Sequence, residues 1–400
     1  MFAHLLKPIW KRKSRNLMLS LEIGLAFVVV FAIVAAASRF YELYQQPIGF
    51  GYASVWSVDI QASNASGIKN DKTTYDKLKR GLQALPEVEQ VAFAAYSPYE
   101  NDTWQGGFNL PDSGVSTTSN VMQVSDDFFD TVHMPLAQGS WFTSADEGAA
   151  VQPVVVNRRF ANTMFPGQDP LGKVISDGKP GKKDRKLMKI AGVIEDFRPQ
   201  GEFMTPVNFV ISRFSTQSSD DGLGTILLRV KPGTPRGFEA KLSQQLKLVR
   251  NDWSYQITPL VDLRDAMHRQ VEIPLVVFSV IAAFLLLMVG FGLFGVLWQN
   301  TTKRIPEIGL RRATGATSAN IYRQIVAEQL LLTSLAMAVG LVLLVQLPIT
   351  GVFGDYLGWP LFFVAALVSA TIMALVSVLC SLYPAWRASR LSPTQALQYE

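Results

Sequence analysis

Cysteine and histidine, which most often bind metals or act as nucleophiles, are scarce in this sequence. The 400 residues include one cysteine, Cys380, and three histidines, His4, His133 and His268, at distant positions. A single cysteine excludes an internal disulfide and a cysteine metal site. The histidines form no H-x-x-x-H pair, and no nucleophile elbow occurs. The sequence therefore predicts no catalytic residue, no metal ligand and no cofactor bound by this chain.

A phosphate-binding loop of the G-x-x-x-x-G-K-[ST] type is also missing. The nearest run, from Gly178 to Lys183, lacks the Ser or Thr that would hold magnesium. It lies in a polar, basic stretch at residues 176–186, which is typical of a solvated loop; a contact with anionic lipid or an acidic partner is the alternative. The chain is therefore predicted not to hydrolyse ATP.

Charged residues are few, and long apolar runs take their place. Only 17% of the residues are charged and 48% are hydrophobic, whereas globular domains are about 25% charged. Four stretches approach or exceed the ~20 apolar residues with which a helix crosses a bilayer. They lie at residues 17–38, 273–298, 327–348 and 361–384. The sequence predicts four spans; a cleaved signal peptide is disfavoured for the first, whose apolar core exceeds about 7–15 residues.

The position of the basic residues predicts how these spans are oriented. Lysine and arginine cluster at Lys7, Lys11, Arg12, Lys13 and Arg15, at Lys303, Arg304, Arg311 and Arg312, and at Arg387 and Arg390. The positive-inside rule then places the termini, residues 1–16 and 385–400, and the loop 301–326 in the cytoplasm. Residues 39–270 and the short hairpin 349–360 are predicted outside. The net charge of +5 thus indicates contact with membrane lipid and not with nucleic acid.

The segment at residues 39–270 is long and polar enough to fold as its own domain. Two amphipathic helices, each followed by a strand, are predicted at 73–84 with 91–95 and at 238–248 with 255–260. Between them, residues 98–205 carry short β-rich runs and form a predicted inserted subdomain. Residues 261–269 continue as a helical stalk into the second span. The predicted fold class is a multi-pass α-helical membrane protein with a large extracytoplasmic α+β domain between the first two spans.

Three acidic residues attract attention because of where they lie. Asp126 and Asp127 precede Phe128 and Phe129 as at a helix start, so they are interpreted as N-caps and not as paired catalytic carboxylates. Glu22 lies inside the first span. It is predicted to reach the interface or to contact a polar helix surface, with a proton or substrate contact as the alternative.

The loop between the second and third spans is the most informative stretch, and it predicts two helices. Pro306 suits a first helical position, and Glu307 complements the positive end of the helix dipole. Gly315 suits a left-handed C-terminal cap. Thr317 or Ser318 then accepts backbone N–H bonds at the start of a second helix that runs into the third span.

The short helix presents two kinds of contact. Ile308 and Arg312, four residues apart, lie near one face, while Glu307, Leu310 and Arg311 point elsewhere. An apolar and a charged contact are both available to a partner. Composition alone also allows a simpler interpretation, in which Arg311 and Arg312 anchor at lipid phosphates.

The run Pro-Glu-Ile-Gly-Leu-Arg-Arg-Ala-Thr-Gly-Ala-Thr, residues 306–317, closely resembles the (R)EIGLRRALGAT signature of the MacB/FtsX-like permease family of ABC transporters. Further stretches agree in the same order, at residues 124–129, 135–139, 155–161, 165–172 and 383–397. The resemblance covers nearly the whole chain. One departure is Pro306, where relatives often carry a basic residue before the glutamate.

The resemblance implies that the short helix is a coupling helix that grips a separate ATPase subunit. Its carried-over residues are Pro306, Glu307, Ile308, Gly309, Leu310, Arg311, Arg312 and Gly315. ATP and magnesium would then bind in the partner, of which two copies are expected. MacB has an ATPase domain before its first span, whereas only 16 residues precede the first span in this sequence. The ATPase is therefore expected in trans.

The resemblance also implies a function and a set of partners. The chain would be a bacterial inner-membrane permease subunit that pairs with a second permease, identical or paralogous. ATP hydrolysis would move the periplasmic domain by mechanotransmission and drive efflux or extrusion, with a periplasmic adaptor and an outer-membrane channel as further partners. The alternatives are an FtsX-like regulatory transducer of an envelope enzyme and a lipoprotein-releasing permease.

Overall fold

The computed structural model describes residues 13–62, 71–111, 114–177, 186–215 and 222–390. Most of the predicted basic loop and most of both predicted terminal segments lie outside the described residues, at 178–185, 1–12 and 391–400. The chain divides into two compact units. The helical unit comprises Met1–Glu42 and Glu272–Glu400, and the α/β unit comprises Leu43–Val271.

The described residues form ten α-helices and eleven β-strands. The helices are α1 (Lys13–Tyr44), α2 (Lys72–Gln83), α3 (Phe128–Thr131), α4 (Arg158–Met164), α5 (Phe238–Val249), α6 (Leu260–Lys303), α7 (Ile305–Ala313), α8 (Ser318–Leu344), α9 (Gln346–Thr350) and α10 (Trp359–Ser389). The strands are β1 (Val55–Ala62), β2 (Val88–Ala94), β3 (Trp104–Asn109), β4 (Ser116–Val124), β5 (Leu136–Gly139), β6 (Gln152–Asn157), β7 (Val174–Asp177), β8 (Leu187–Ile194), β9 (Phe209–Arg213), β10 (Thr225–Val230) and β11 (Trp253–Pro259).

Among the described residues, four helical segments are long and apolar enough to cross a membrane. They correspond to α1, α6, α8 with α9, and α10, which confirms the four predicted spans. Each helix extends beyond its apolar stretch. In particular, α6 is one helix of 44 residues, so the predicted stalk at residues 261–269 is its first part. Pro274 lies inside α6, where a proline removes one backbone hydrogen bond and weakens the helix locally.

The core of the helical unit lies between α1, α6, α8 and α10. Ile23, Phe27 and Phe31 of α1 are buried together with Leu293 of α6 and Phe362 of α10. The outward faces remain apolar and uncovered within the unit, as in α6, where Val276, Phe284 and Phe291 are exposed. Apolar side chains on the outside of a helical bundle are suited to lipid.

Glu22 lies on α1 opposite a glycine of α6. A Cβ atom at Gly292 would come within 3.1 Å of the Glu22 Oε2 atom. The small residue therefore leaves room for the carboxylate between the two helices. This is a contact with a neighbouring helix at a glycine and not at a polar side chain, and the proton or substrate contact stays a prediction.

The first part of the α/β unit is a four-stranded antiparallel sheet in the order β11-β1-β10-β2. Helices α2 and α5 pack on one face through Leu78, Leu82, Leu242 and Leu246. The chain order β1-α2-β2 and β10-α5-β11 is a split βαβ pattern. Both predicted helix-then-strand pairs are therefore present, and the strands between them leave the sheet to build a second part.

That second part is a closed ring of six strands. The order β4-β3-β7-β8-β6-β9 returns to β4 through a parallel pair in which Val121 lies opposite Val210. Closure leaves the ring without a free edge strand, which limits pairing with other chains. Phe108, Val154 and Phe160 belong to the core that this ring shares with α4. The strands of the ring run from Trp104 to Arg213, whereas the sequence predicts an insert at residues 98–205.

The predicted N-cap role of Asp126 and Asp127 is wrong. Asp127 occupies the cap position of α3 without a side-chain cap bond, and its Oδ2 instead accepts from Lys79 Nζ at 2.5 Å. Asp126 accepts two bonds from Arg213, at 2.7 and 2.9 Å. Cationic partners distant in sequence bind both carboxylates, and in these bonds both groups are charged, whereas in a cap bond only the carboxylate is.

Candidate functional site

The candidate site is the short helix α7 and the turn that follows it. The helix begins at Ile305, so Pro306 lies one residue later than predicted and still in the first turn. Gly315 has φ +98°, the left-handed conformation that glycine adopts without strain. Its N–H donates to the Arg312 carbonyl, which closes the last turn. The Thr317 side chain accepts from the backbone of Asn320 and caps α8, as predicted.

One face of α7 packs against the protein itself. Ile308 is buried with Ile321 of α8 and Ala388 of α10. Arg312 Nη1 donates to the Ser389 carbonyl oxygen at 2.8 Å, near the end of α10. Arginine next to a helix C-terminus binds carbonyls that have no partner within the helix. Helix α7 is thus attached to both the start of α8 and the end of α10.

The opposite face of α7 is open. Leu310 lies on this face and is 62% exposed. Pro306, Glu307 and Arg311 are also exposed. Glu307 Oε1 accepts from Arg311 Nη2 at 2.7 Å, and Arg311 also donates to Gln324 of α8. An apolar side chain flanked by an orientated charge pair is a surface that a protein partner can bind.

The structure thus divides the predicted site residues into two groups. Ile308, Gly309 and Arg312 face the protein, so their substitution would act through the position of the helix. The residues on the open side are Pro306, Glu307, Leu310, Arg311 and Gly315.

A pair that the sequence did not predict lies next to α7. Arg304 Nη1 and Glu328 Oε2 of α8 are 2.6 Å apart, and Gln324 donates to the other carboxylate oxygen. Both charged residues line a cavity of about 90 Å³ whose wall includes Leu19 of α1 and Ile308 of α7. The two partners are 24 positions apart, so no helical spacing could have revealed the pair. Its one signal in the sequence is an acidic residue at the start of an apolar span.

The part of the chain that the structure describes holds no group of three or more His, Cys, Asp or Glu side chains placed to bind a metal ion. The open face of α7 presents an exposed apolar side chain, Leu310, next to the hydrogen-bonded pair Glu307 and Arg311.

Two protein families match this chain. The MacB-like periplasmic core domain matches residues 17–244, and the FtsX-like permease C-terminal domain matches residues 279–393. The first match begins inside α1 and ends inside α5, so it includes every strand except β11. The second spans most of α6, all of α7 and the last two spans.

Relatives of known name agree with these matches. The uncharacterized ABC transporter permease YknZ of Bacillus subtilis is 24% identical over 98% of this chain and 96% of its own length. The macrolide export ATP-binding/permease protein MacB of Agrobacterium fabrum is 24% identical over 97% of this chain. The chain spans 59% of that relative's length. A solved structure, the periplasmic region of MacB from Actinobacillus actinomycetemcomitans, is similar with a TM-score of 0.39 and 16% identity, covering 58% of this chain and 98% of its own.

The match to the MacB-like periplasmic core domain covers more than half of the chain, and the FtsX-like match covers the remaining spans. Together with four membrane-spanning helices, these matches describe a multi-pass membrane protein. The chain belongs to the MacB/FtsX-like family of ABC transporter permeases.

Proposed function

We propose that this chain is the non-catalytic permease subunit of an ABC transporter, in which a separate ATPase binds α7 and moves the α/β unit. The observation that carries the proposal is the division of α7 into an inner face attached to two spans and an open face built around Leu310. Family membership supports it, since ABC transporter permeases act with ATPase partners. The lack of a phosphate loop in this sequence is consistent with ATP hydrolysis in the partner.

The attachment of α7 suggests how force passes from the ATPase to the spans. A partner that pulls on Leu310 also moves Ile308, which contacts α8, and Arg312, which is bonded to the end of α10. Packed side chains transmit such displacements because protein interiors are dense and resist compression. Two spans would then move with α7, and the α/β unit would follow because α1 and α6 connect to it directly.

Interfacial aromatic residues support a cytoplasmic position for α7. The Trp298 ring of α6 stacks on Tyr383 of α10 with centroids 5.8 Å apart, and the Arg387 guanidinium lies 4.7 Å from the Trp298 centroid. Trp, Tyr and Arg are typical of the membrane surface, and arginine is enriched on the cytoplasmic side. We therefore place both termini and α7 in the cytoplasm and the α/β unit outside, in the inner membrane of a bacterium.

The proposed assembly contains two permeases, identical or paralogous, and two ATPase subunits that bind ATP and magnesium. The relative from Agrobacterium fabrum is named as a macrolide export protein, so export of a substrate from the cell envelope is the proposed outcome. A periplasmic adaptor and an outer-membrane channel complete the proposed machine.

The test uses the full chain purified with its ATPase partner. Burying a leucine side chain contributes about 1.5–3 kcal/mol, so Leu310→Ala should weaken ATPase binding about tenfold or more. ATP hydrolysis that depends on the permease should fall with it, while thermal unfolding of the chain stays unchanged. Leu248→Ala is the matched control, because Leu248 is 75% exposed on α5 of the α/β unit. Unchanged binding and hydrolysis in Leu310→Ala would reject α7 as the ATPase contact.

A further inference from the structure

One loop of the α/β unit contacts both chain segments that connect this unit to the spans. The loop runs from Phe197 to Met204. Arg198 contacts the last turn of α1 and the residues just after it, and Glu202 contacts the first turns of α6. We name Arg198 and Glu202, together with Arg264 and His268 of α6, the clasp.

Arg198 binds the end of α1. Its side chain is fully buried, at 0% exposure, although it carries a charge. Its guanidinium donates to the carbonyl oxygens of Leu43 and Pro47, each at 3.1 Å, and to that of Gln46. The last carbonyls of a helix have no partner within the helix, and they form the negative end of its dipole. A buried cation that satisfies several carbonyls therefore holds the end of α1, at Tyr44, in one place.

Glu202 binds the start of α6. The side chain is 9% exposed, and each carboxylate oxygen has its own partner on that helix. Oε1 accepts from Arg264 Nε at 2.6 Å, and Oε2 is 2.9 Å from His268 Nε2. The Arg264 guanidinium also lies 4.8 Å from the centroid of the Tyr52 ring, which fixes its orientation.

The two halves of the clasp are joined through a short, tight stretch of backbone. Arg198 Nη1 donates to the Glu202 carbonyl oxygen at 2.9 Å. Gly201 between them has φ +92°, and a Cβ atom there would lie 2.6 Å from Cε1 of Tyr99. The Arg198 backbone N–H donates to the Ile48 carbonyl at 2.9 Å. The loop is thus packed so closely that movement at one half displaces the other.

The contact between the rings of Tyr44 and His268 links the two segments once more. Their centroids are 6.1 Å apart, and the Phe203 ring lies 5.0 Å from His268. The last residue of α1 and the third turn of α6 therefore meet at the clasp.

We propose that Arg198 and Glu202 are positioning residues that lock the end of α1 to the start of α6, so that the two connecting segments keep one arrangement at the edge of the α/β unit. The consequence for transport rests on the function proposed above, but the lock itself does not. A buried ion pair is weak evidence for stability, since apolar side chains in its place often stabilise a protein equally or more. In this loop the two charged residues favour one arrangement of the segments that they join, because separating them would leave a buried charge unpaired.

The direct test measures the distance between two spin labels in the full chain. Labels on cysteines at Gln45 and Arg269, both exposed, are placed in a Cys380→Ser background. We expect one narrow distance distribution, measured by pulsed electron paramagnetic resonance in lipid nanodiscs. Glu202→Gln keeps the shape of the side chain but loses its charge, so the narrow distribution should be lost. Arg198→Lys, which keeps the charge but cannot reach all the carbonyls, should give the same loss.

The matched control is Glu195→Gln in the same unit. Glu195 accepts two bonds from Arg158 at 2.5 and 2.7 Å, but the pair is exposed, so the label distance should not change. Unchanged distributions in both clasp variants, in chains that are folded at the temperature of the measurement, would overturn the proposal.

A second measurement separates the clasp from the proposed function. With the ATPase partner present, a label at Leu248 reports the distance between two permease copies. ATP should change this distance in the wild type, and Glu202→Gln should abolish the change while ATPase binding stays intact. A wild type in which ATP changes nothing contradicts the proposed function, but the distance between Gln45 and Arg269 still decides whether the clasp exists.

Discussion

Single residues in the α/β unit join segments that are far apart in the chain, and Arg213 is one example. Its side chain is 7% exposed. It donates to Asp126 at 2.7 and 2.9 Å and to Glu147 at 2.6 Å. Burial alone would lower the pKa of the arginine, but its hydrogen bonds to the two carboxylates raise it above the ordinary value. The arginine therefore stays charged and binds both carboxylates, while Glu147 also accepts a bond from Ser215.

Arg213→Met is predicted to destabilise the α/β unit. Removing one member of a buried ion pair costs about 3–5 kcal/mol, and somewhat less, about 2 kcal/mol, when the carboxylates are partly exposed. The midpoint of thermal unfolding should fall by roughly 4–8 °C. Arg158→Met, which removes an exposed pair with Glu195, is the control and should shift the midpoint by about 2 °C or less. Equal shifts in the two variants would contradict this account.

Glu202 makes part of the stability depend on pH. Burial alone would raise the pKa of its carboxyl, but hydrogen bonds from His268 and Arg264 reverse this and hold the pKa below the ordinary glutamate value of 4.5. A depressed pKa means that the folded state favours the charged form. The resulting stabilisation is fully present above about pH 4.5 and is lost as the pH falls through the folded pKa.

The prediction concerns the difference between the wild type and Glu202→Gln. The wild type should unfold at a higher temperature at neutral pH, and the two curves should converge below about pH 4.5. The comparison with the variant is needed because burial raises the pKa of three other carboxyl groups, those of Asp59, Glu100 and Asp196. These groups favour the folded state more as the pH falls, which is opposite to the effect of Glu202. Differential scanning fluorimetry from about pH 3.5 to about pH 7 measures the unfolding temperatures of the wild type and the variant. A gap that widens in acid would refute the depressed pKa.

At the scale of elements, polar contacts inside the bundle join α8 to α10. Gln329 Nε2 donates to Ser377 Oγ at 3.2 Å, and the hydroxyls of Thr333 and Ser377 are 2.5 Å apart. All three side chains are buried. In an apolar environment such bonds orient one helix against the other, because each polar group has few alternative partners. The pair α8 and α10 also carries the inner contacts of α7.

Thr333→Val is predicted to loosen this pair. The variant keeps the shape of the side chain but leaves Ser377 with fewer partners, at a cost of about 1 kcal/mol. Unfolding in mixed detergent should occur at a lower denaturant fraction. The control is Ser334→Ala, because Ser334 is exposed and bonds only within its own helix, to the Leu331 carbonyl. A loss in Ser334→Ala as large as that in Thr333→Val would show that the bond between helices has no special weight.

At the scale of the whole molecule, the chain should have no ATPase activity without its partner. Purified alone in nanodiscs, it should hydrolyse no ATP, since its sequence holds no phosphate loop. With an ABC ATPase, hydrolysis should appear in a complex of two permeases and two ATPases, which native mass spectrometry would count. A complex with one copy of each would contradict the proposed assembly, and hydrolysis by the chain alone would contradict the proposed non-catalytic role.

Local features of the candidate site were predictable because they depend on neighbours in sequence. Gly315 was expected in the left-handed conformation and Thr317 as a cap, and both are observed. The side of α7 on which Ile308 and Arg312 lie also followed from helical spacing. The partner of Arg312, the Ser389 carbonyl, did not follow, because it is 77 positions away.

The local elements of the fold were predictable in the same way, but the pairing of distant strands was not. Periodicity indicated both helix-then-strand units, and an insert was expected between them. Closure of the insert into a ring was not predicted, because it depends on the parallel pair between β4 and β9, and periodicity does not reveal which strands pair. The cap role of Asp126 and Asp127 was wrong for a similar reason, since Arg213 is 87 positions from Asp126.

The sequence by itself determined the spans, the extent of the α/β unit within a few residues and the position of α7. These depend on the thickness of a bilayer and on short-range backbone preferences, which act on residues close together in the chain. Only the tertiary structure decided which face of α7 is open and how the clasp joins α1 to α6. Arg198 is 155 positions from Leu43 and Glu202 is 66 from His268, and such contacts arise only when folding brings distant segments into one core.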